Sequence, residues 1–197
     1  MFYRSTLAAF ALSAGMVFSN TSVQAQQIYD TDQSHTEVLF QWNHSGVALQ
    51  HGEFTKVTGV LNLVEDALEE SEINVTIDTA SISTGYAPLD DVLKGSEWFN
   101  VEKYPEATFK STSIEVTGEK TAKVTGDLTI RGITKPVVLD TTLTHYGPHP
   151  VAQYVAFYKG QWAAFSATTE LRHQAFGIGP YSMGGIKIEI HTKLKAQ

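Results

Sequence analysis

From Lys123 to Leu143, apolar residues return at every second position on both sides of a glycine. Val124, Leu128 and Ile130 precede Gly132, and Val137, Leu139 and Leu143 follow it. A period of two marks a strand with one face buried. Thr125, Asp127, Thr129 and Arg131 fill the opposite face of the first arm, and Asp140, Thr142 and Thr144 do so in the second. Gly132 supplies the turn, because a residue without a Cβ adopts positive φ at little steric cost. Pro136 has no backbone donor, which places it near the start of the second strand or on an edge. The stretch predicts a long antiparallel hairpin. A hairpin alone is marginal in water, so the rest of the chain must complete its sheet.

The same period recurs along the chain. Thr36–His44 carries Val38, Phe40, Trp42 and His44 on one face, with Leu39 as the exception. Glu53–Val64 has Val57, Leu61 and Leu63 in phase and Phe54 out of phase, as a bulge near Gly52 would produce. After the acidic turn from Glu65 to Glu72, Ile73, Val75, Ile77 and Thr79 form the next inward face, in a strand that runs to Ile82. Phe109–Val116 follows, then the hairpin, then Gln161–Arg172 with Phe165, Ala167, Thr169 and Leu171 in phase, and a last strand with Ile186, Ile188 and Ile190.

Gly85 to Tyr104 breaks the alternation, with a short helical insert near residues 86–100. Asp90–Leu93 reads as a short helix, and Ser96 caps a second helical turn through Trp98 and Phe99; Pro105 forbids helix at Tyr104. The count is an all-β chain of about eight strands with turn signals at sandwich or barrel spacing. Its inward set, Phe40, Trp42, Leu61, Val75, Ile77, Phe109, Leu128, Ile130, Leu139, Phe165 and Ile188, either fills a core or lines a tunnel. Periodicity does not separate the two.

The N-terminal 25 residues depart from this pattern. Arg4, the apolar run Leu7–Phe18 and the small residues around Val23–Ala25 read as an export signal that is cleaved, leaving 26–197 as one domain. The apolar run is too short to span a bilayer, and no later stretch approaches the roughly 20 residues required. The expected location is periplasmic. With no cysteine anywhere, the core alone must hold the fold. Net charge is −7, becoming −8 when Arg4 leaves with the leader. No run of Lys or Arg offers a footprint for a phosphate backbone, which argues against nucleic acid as a partner.

Candidate chemistry is sparse. His145 and His149 are four apart, but Gly147, Pro148 and Pro150 forbid the helix that would bring them together as metal ligands. Asp90 and Asp91 are adjacent and share no helix face, so they favour first-turn stabilisation and exposure. There is no GxSxG nucleophile turn, and Gly177-Ile178-Gly179 opens no helix that could take a phosphate. No catalytic residue, metal ligand or cofactor is assigned.

Several landmarks carry a family resemblance. They are Ser34-His35 with the strand ending Trp42-Asn43-His44; Gly52-Glu53-Phe54; Asp78 to Thr84; Asp90 to Phe99; Lys103 to Ser111; and Gly126-Asp127-Leu128-Thr129-Ile130-Arg131-Gly132-Ile133-Thr134-Lys135-Pro136-Val137. In this order they resemble the YceI-like family of exported bacterial proteins, across Tyr29–Leu194. The chain departs from the family at Met183-Gly184-Gly185 and in an elaborated loop, His145–Pro150.

The resemblance implies an extended, lipocalin-like eight-stranded antiparallel barrel whose apolar pore holds a polyprenyl chain or an isoprenoid quinone. Strands of about ten residues, rising roughly 3.3 Å each, define a tunnel of the order of 25 to 30 Å. Each buried CH₂ contributes about 0.8 kcal/mol, so such a site needs shape and dryness more than a reactive group. On this reading the inward set lines the tunnel, Trp98 and Phe99 belong to a lid, and His44 and Arg172 meet a head group near a mouth. The expected partners are that lipid, membranes in transient contact, and a second copy in a homodimer. The alternatives are a stress-protective or adhesion module with a filled core, or an enzyme acting on a lipid head group.

Overall fold

A computed structural model of the chain describes residues 26–179 and 184–197. The leader and Met183 lie outside the described residues. The hairpin is present as β8 (Thr121–Ile130) and β9 (Ile133–Pro148), in register from Ile130 opposite Ile133 to Thr121 opposite Thr142. Its turn is Arg131-Gly132, with φ of 53° and 72°. Two successive positive φ values match the right-handed twist of the flanking strands. Arginine is an unusual occupant, and its side chain is spent on tertiary contacts: Nη1 donates to the carbonyls of Ser96, at 2.9 Å, and Trp98. Pro136 lies inside β9, but in the part beyond the ladder with the next strand, which begins only at Asp140, so no bond is lost there.

The remaining strands are β1 (Gln26–Thr31), β2 (Glu37–His44), β3 (Ala48–Phe54), β4 (Val57–Val64), β5 (Glu72–Asp78), β6 (Ile82–Ser83), β7 (Glu106–Gly118), β10 (Gln161–Leu171) and β11 (Ile186–Ala196). β1 with β2, β3 with β4, and β5 with β6 each form one broken strand. Eight antiparallel staves therefore run in chain order round the molecule. β11 closes the ring, pairing its first half with β2 (Ile186 opposite Trp42) and its last residues with β1 (Leu194 opposite Thr31). The result is a closed eight-stranded barrel in which the staves leave no free sheet edge at the seam.

Three local expectations need correction. The phase break around Phe54 falls after it, at Thr55-Lys56, and not near Gly52: Phe54 pairs with Val38 in regular register, and inward parity changes between Phe54 and Val57. β1 and β2 change parity at the matching place, across the turn at Gln33–His35, so the two staves kink together. The third stave does not run unbroken to Ile82, because a single helical turn, Thr79–Ser81, separates β5 from β6. Finally, the insert holds one helix, α1 (Ala87–Lys94), ended by Gly95, while Ser96–Phe99 form hydrogen-bonded turns with no serine cap. Asp90 is not simply exposed: its carboxylate accepts from the Thr84 amide and hydroxyl at 2.7 Å, tying the helix to the end of the third stave.

Two of the inward rings, those of Phe40 and Phe109, lie against glycines of neighbouring staves. A Cβ on Gly126 would fall 2.4 Å from Cζ of Phe109 and 2.6 Å from the Lys110 carbonyl oxygen, and one on Gly52 would fall 2.5 Å from Cζ of Phe40. Each phenyl ring thus lies flat along the wall in the space a side chain would occupy on the next stave. Val75, Ile77, Leu139, Phe165 and Ile188 also face inward and yet are only half-buried. Their uncovered area is the surface of a hollow.

Gly126→Ala is expected to push Phe109 off the wall, at about 1–3 kcal/mol of stability, with a smaller lumen. Denaturant unfolding of this variant, and of the same change in a Phe109→Leu background where the ring is gone, checks it: the penalty should shrink in the second pair.

Candidate functional site

The hollow is a continuous internal cavity of about 950 Å³, near the top of the roughly 300–1,000 Å³ range of small-molecule sites. All the residues expected on a tunnel wall lie on it: Phe40, Trp42 and His44 from β2, Leu61 from β4, Val75 and Ile77 from β5, Phe109 from β7, Leu128 and Ile130 from β8, Leu139 from β9, Phe165 from β10 and Ile188 from β11. Trp98 and Phe99 reach it from the insert. The strand period explains this convergence, since closing the sheet turns one face of every stave toward a common axis.

The two ends differ. At the helix end, Trp98 and Phe99 bridge the cluster built on β7–β9 and the one built on β2, β3 and α1. Phe99 meets Phe54 edge-on at 5.4 Å between ring centres, Phe54 continues to Phe40 at 5.6 Å, and Phe40 to Trp42 at 5.7 Å. Trp98 lies over Gly179, where a Cβ would fall 2.6 Å from its ring, and the Gly179 amide donates to the Glu97 carbonyl at 3.1 Å. Together with Arg131, these contacts pin the insert across the barrel. His44, Gln50 and Tyr86 form an exposed rim between the hairpin joining β2 to β3 and α1.

At the opposite end the rim is polar, with Glu65, Glu119, Lys120 and Thr121. The Tyr146 hydroxyl donates to the Glu65 carboxylate. Partial burial, then that carboxylate and nearby Tyr29, hold the Tyr146 phenol well above its ordinary range. The loop after β9 folds back along the outer wall instead of shaping this rim. His149 stacks on Tyr158 at 4.1 Å, both pack against the buried Trp162, and the Lys193 ammonium lies over the rings of Tyr158 and Trp162. His145 sits 6.4 Å from His149 between ring centres, outside the cavity wall. Among the described residues no group of three or more His, Asp or Glu is placed to hold a metal ion.

Of the two residues expected to meet a head group, His44 is on the wall but exposed, whereas Arg172 is exposed and off the wall. The strand ends at Leu171, and His173, the residue after Arg172, lines the barrel instead. His173 is 6% exposed, and neither ring nitrogen has a hydrogen-bond partner among the described residues. The signal for it was the parity of β10: Phe165, Ala167, Thr169, Leu171 and His173 are all odd-numbered and all on the wall.

Burial lowers the His173 pKa below its ordinary 6.5, because an apolar setting disfavours the imidazolium. As pH falls through about 6.5 the unfolded chain takes up this proton and the folded chain does not, so stability drops with pH until folded His173 itself protonates. Ligand-free wild type should therefore lose more stability between pH 7.5 and 5 than His173→Phe, as read from denaturant midpoints at each pH.

The comparisons with known proteins agree with this geometry. The YceI-like domain family matches residues 29–196. A UPF0312 protein of Pseudomonas savastanoi pv. phaseolicola is 37% identical over 178 residues, covering 90% of this chain and 89% of the relative. Among solved structures, BcnA of Burkholderia cenocepacia superposes with a TM-score of 0.70 at 23% identity, covering 83% of this chain and 98% of that one. A structure described as a polyisoprenoid binding domain from Saccharophagus degradans, implicated in plant cell wall breakdown, superposes at 0.63 with 12% identity, covering 86% and 98%. With a matching family that spans nearly the whole barrel and a relative 37% identical over about nine-tenths of both chains, this chain is a member of the YceI-like family.

Proposed function

We propose that this protein is a periplasmic carrier that holds one long isoprenoid lipid, a polyprenyl chain or an isoprenoid quinone, inside its barrel. The observation that carries the reading is the apolar cavity of about 950 Å³ running through a closed barrel. A flexible prenyl tail fits such a wall because transfer of each CH₂ from water contributes about 0.8 kcal/mol and the wall makes no demand for matching polar groups. The Saccharophagus degradans domain, described as polyisoprenoid binding, supports it by having the same barrel.

The wall also favours holding over catalysis. Among the described residues its ionisable groups sit at the ends, His44, Tyr86 and His173 at one and Glu65, Glu119, Lys120 and Tyr146 at the other, with mostly apolar side chains between. Export by the N-terminal leader would place the carrier between two membranes. Transient membrane contact fits the hairpin joining β2 to β3, where Val47 and Leu49 are 85% and 63% exposed beside the rim residue Gln50.

Native mass spectrometry of the purified protein is expected to show one co-purifying lipid per chain. Preparations that are consistently lipid-free, and that refuse added prenyl lipids, overturn the proposal. A second measurement separates a carrier from a module with a filled core. Ile188→Trp places a large ring in the lumen, and should abolish or sharply weaken lipid uptake with little change in unfolding midpoint. In a packed interior the same change would cost about 1–3 kcal/mol.

A further inference from the structure

His173 is a polar group inside an apolar site, and neither of its ring nitrogens has a hydrogen-bond partner among the described residues. It sits in the helical turn His173–Phe176 that follows β10. Its position is held firmly. Gly177, at φ 68°, closes the turn with its amide on the Gln174 and His173 carbonyls, and the Ile178 amide returns to the His173 carbonyl at 3.3 Å. Phe176 and Ile178 pack into the cluster that contains Phe109, Leu128 and Val137. A buried imidazole without a partner is destabilising, and native proteins rarely retain such groups without a use for them.

We propose that His173 is the hydrogen-bonding anchor for the polar terminus of the bound isoprenoid, and that this terminus is an uncharged oxygen, the hydroxyl of a prenol or the carbonyl of a quinone, and not a phosphate. The inference rests on the carrier reading and names its ligand class. A neutral imidazole offers one N–H donor and one acceptor nitrogen. A hydroxyl can use either, and a carbonyl accepts from the N–H.

A phosphate needs cations, and among the described residues no Lys or Arg lines this end of the cavity. Among the described residues, Lys120 is the one Lys or Arg on the wall, and it belongs to the opposite rim. Arg172 is exposed and off the wall, and Arg131 is committed to the Ser96 and Trp98 carbonyls. His44 shares the helix end but is exposed at the rim. Burial also lowers the His173 pKa and so favours its neutral form. An anion buried against an uncharged, apolar wall would lose its hydration without compensation.

The test is displacement of an apolar fluorophore from wild type, His173→Phe and His173→Gln. The competitors are a polyprenol, an isoprenoid quinone and a polyprenyl monophosphate of matched chain length, together with the hydrocarbon squalene. Wild type should bind the prenol and the quinone about tenfold more tightly than squalene, the factor that about 1.4 kcal/mol of hydrogen bonding represents, and should bind the phosphate more weakly than the prenol. His173→Phe should bring prenol, quinone and squalene level, while His173→Gln, which keeps a donor and an acceptor, should retain most of the preference. ¹⁵N resonances of the His173 ring should move on adding prenol or quinone and stay in place with squalene.

Equal binding of prenol and squalene by wild type, a preference for the phosphate, or a preference that survives in His173→Phe each overturns the anchor. Should His173→Phe fail to fold, the wild-type ranking and the ring resonances decide. If every isoprenoid binds alike, the carrier stands and only the anchor falls; if none binds, the carrier reading fails as well.

Discussion

β11 bonds along one edge to β10 and along the other first to β2 and then to β1, and that second seam turns a meander of hairpins into a ring. The seam is divided because the first stave is itself broken at Gln33–His35. The parity change there is matched across the ladder at Thr55-Lys56, so both staves bend without losing their inward faces. Every other property of the site follows from the ring. Closure satisfies the backbone along the staves, gives all inward side chains one shared space, and leaves the two ends as the places where chemistry can differ.

A ring of this size can be filled by its own side chains, and what keeps it open is where the rings of Phe40 and Phe109 lie. Gly52 and Gly126 provide flat ground on the neighbouring staves, and the phenyl groups occupy it instead of projecting toward the axis. The wall is then coated with aromatic and branched surface while its centre stays free. This costs packing within the barrel, which is consistent with inward residues such as Ile188 and Leu139 being only half-buried. A bound apolar chain would cover them, so folding and ligand capture draw on the same surface.

The insert between the third and fourth staves turns this open tube into a site with a closed end and an open rim. Trp98 and Phe99 are held by contacts from three separate parts of the chain: the Arg131 turn, Gly179 and the Phe54 ring. His173 lies in the loop that carries Gly179. The insert that carries Trp98 therefore rests on the same short loop that brings His173, whose ring nitrogens have no partner among the described residues, to the cavity wall.

The alternating residues of β2, β5, β8–β10 and β11 were legible in the sequence because the strand period is a local property: neighbours point to opposite faces whatever the rest of the chain does. So was the turn at Gly132, where backbone sterics alone make the demand. The kinks at Gln33–His35 and Thr55-Lys56 were not, since they arise from two staves accommodating one another's bend. Whether Phe40 and Phe109 would block the lumen or line it rested on glycines more than ten residues away in sequence. Arg172 and His173 show the limit most plainly. They are adjacent and both polar; the parity of β10 separates their sides, but only the end of a ladder and the path of the following loop decide that His173 is buried with no partner among the described residues.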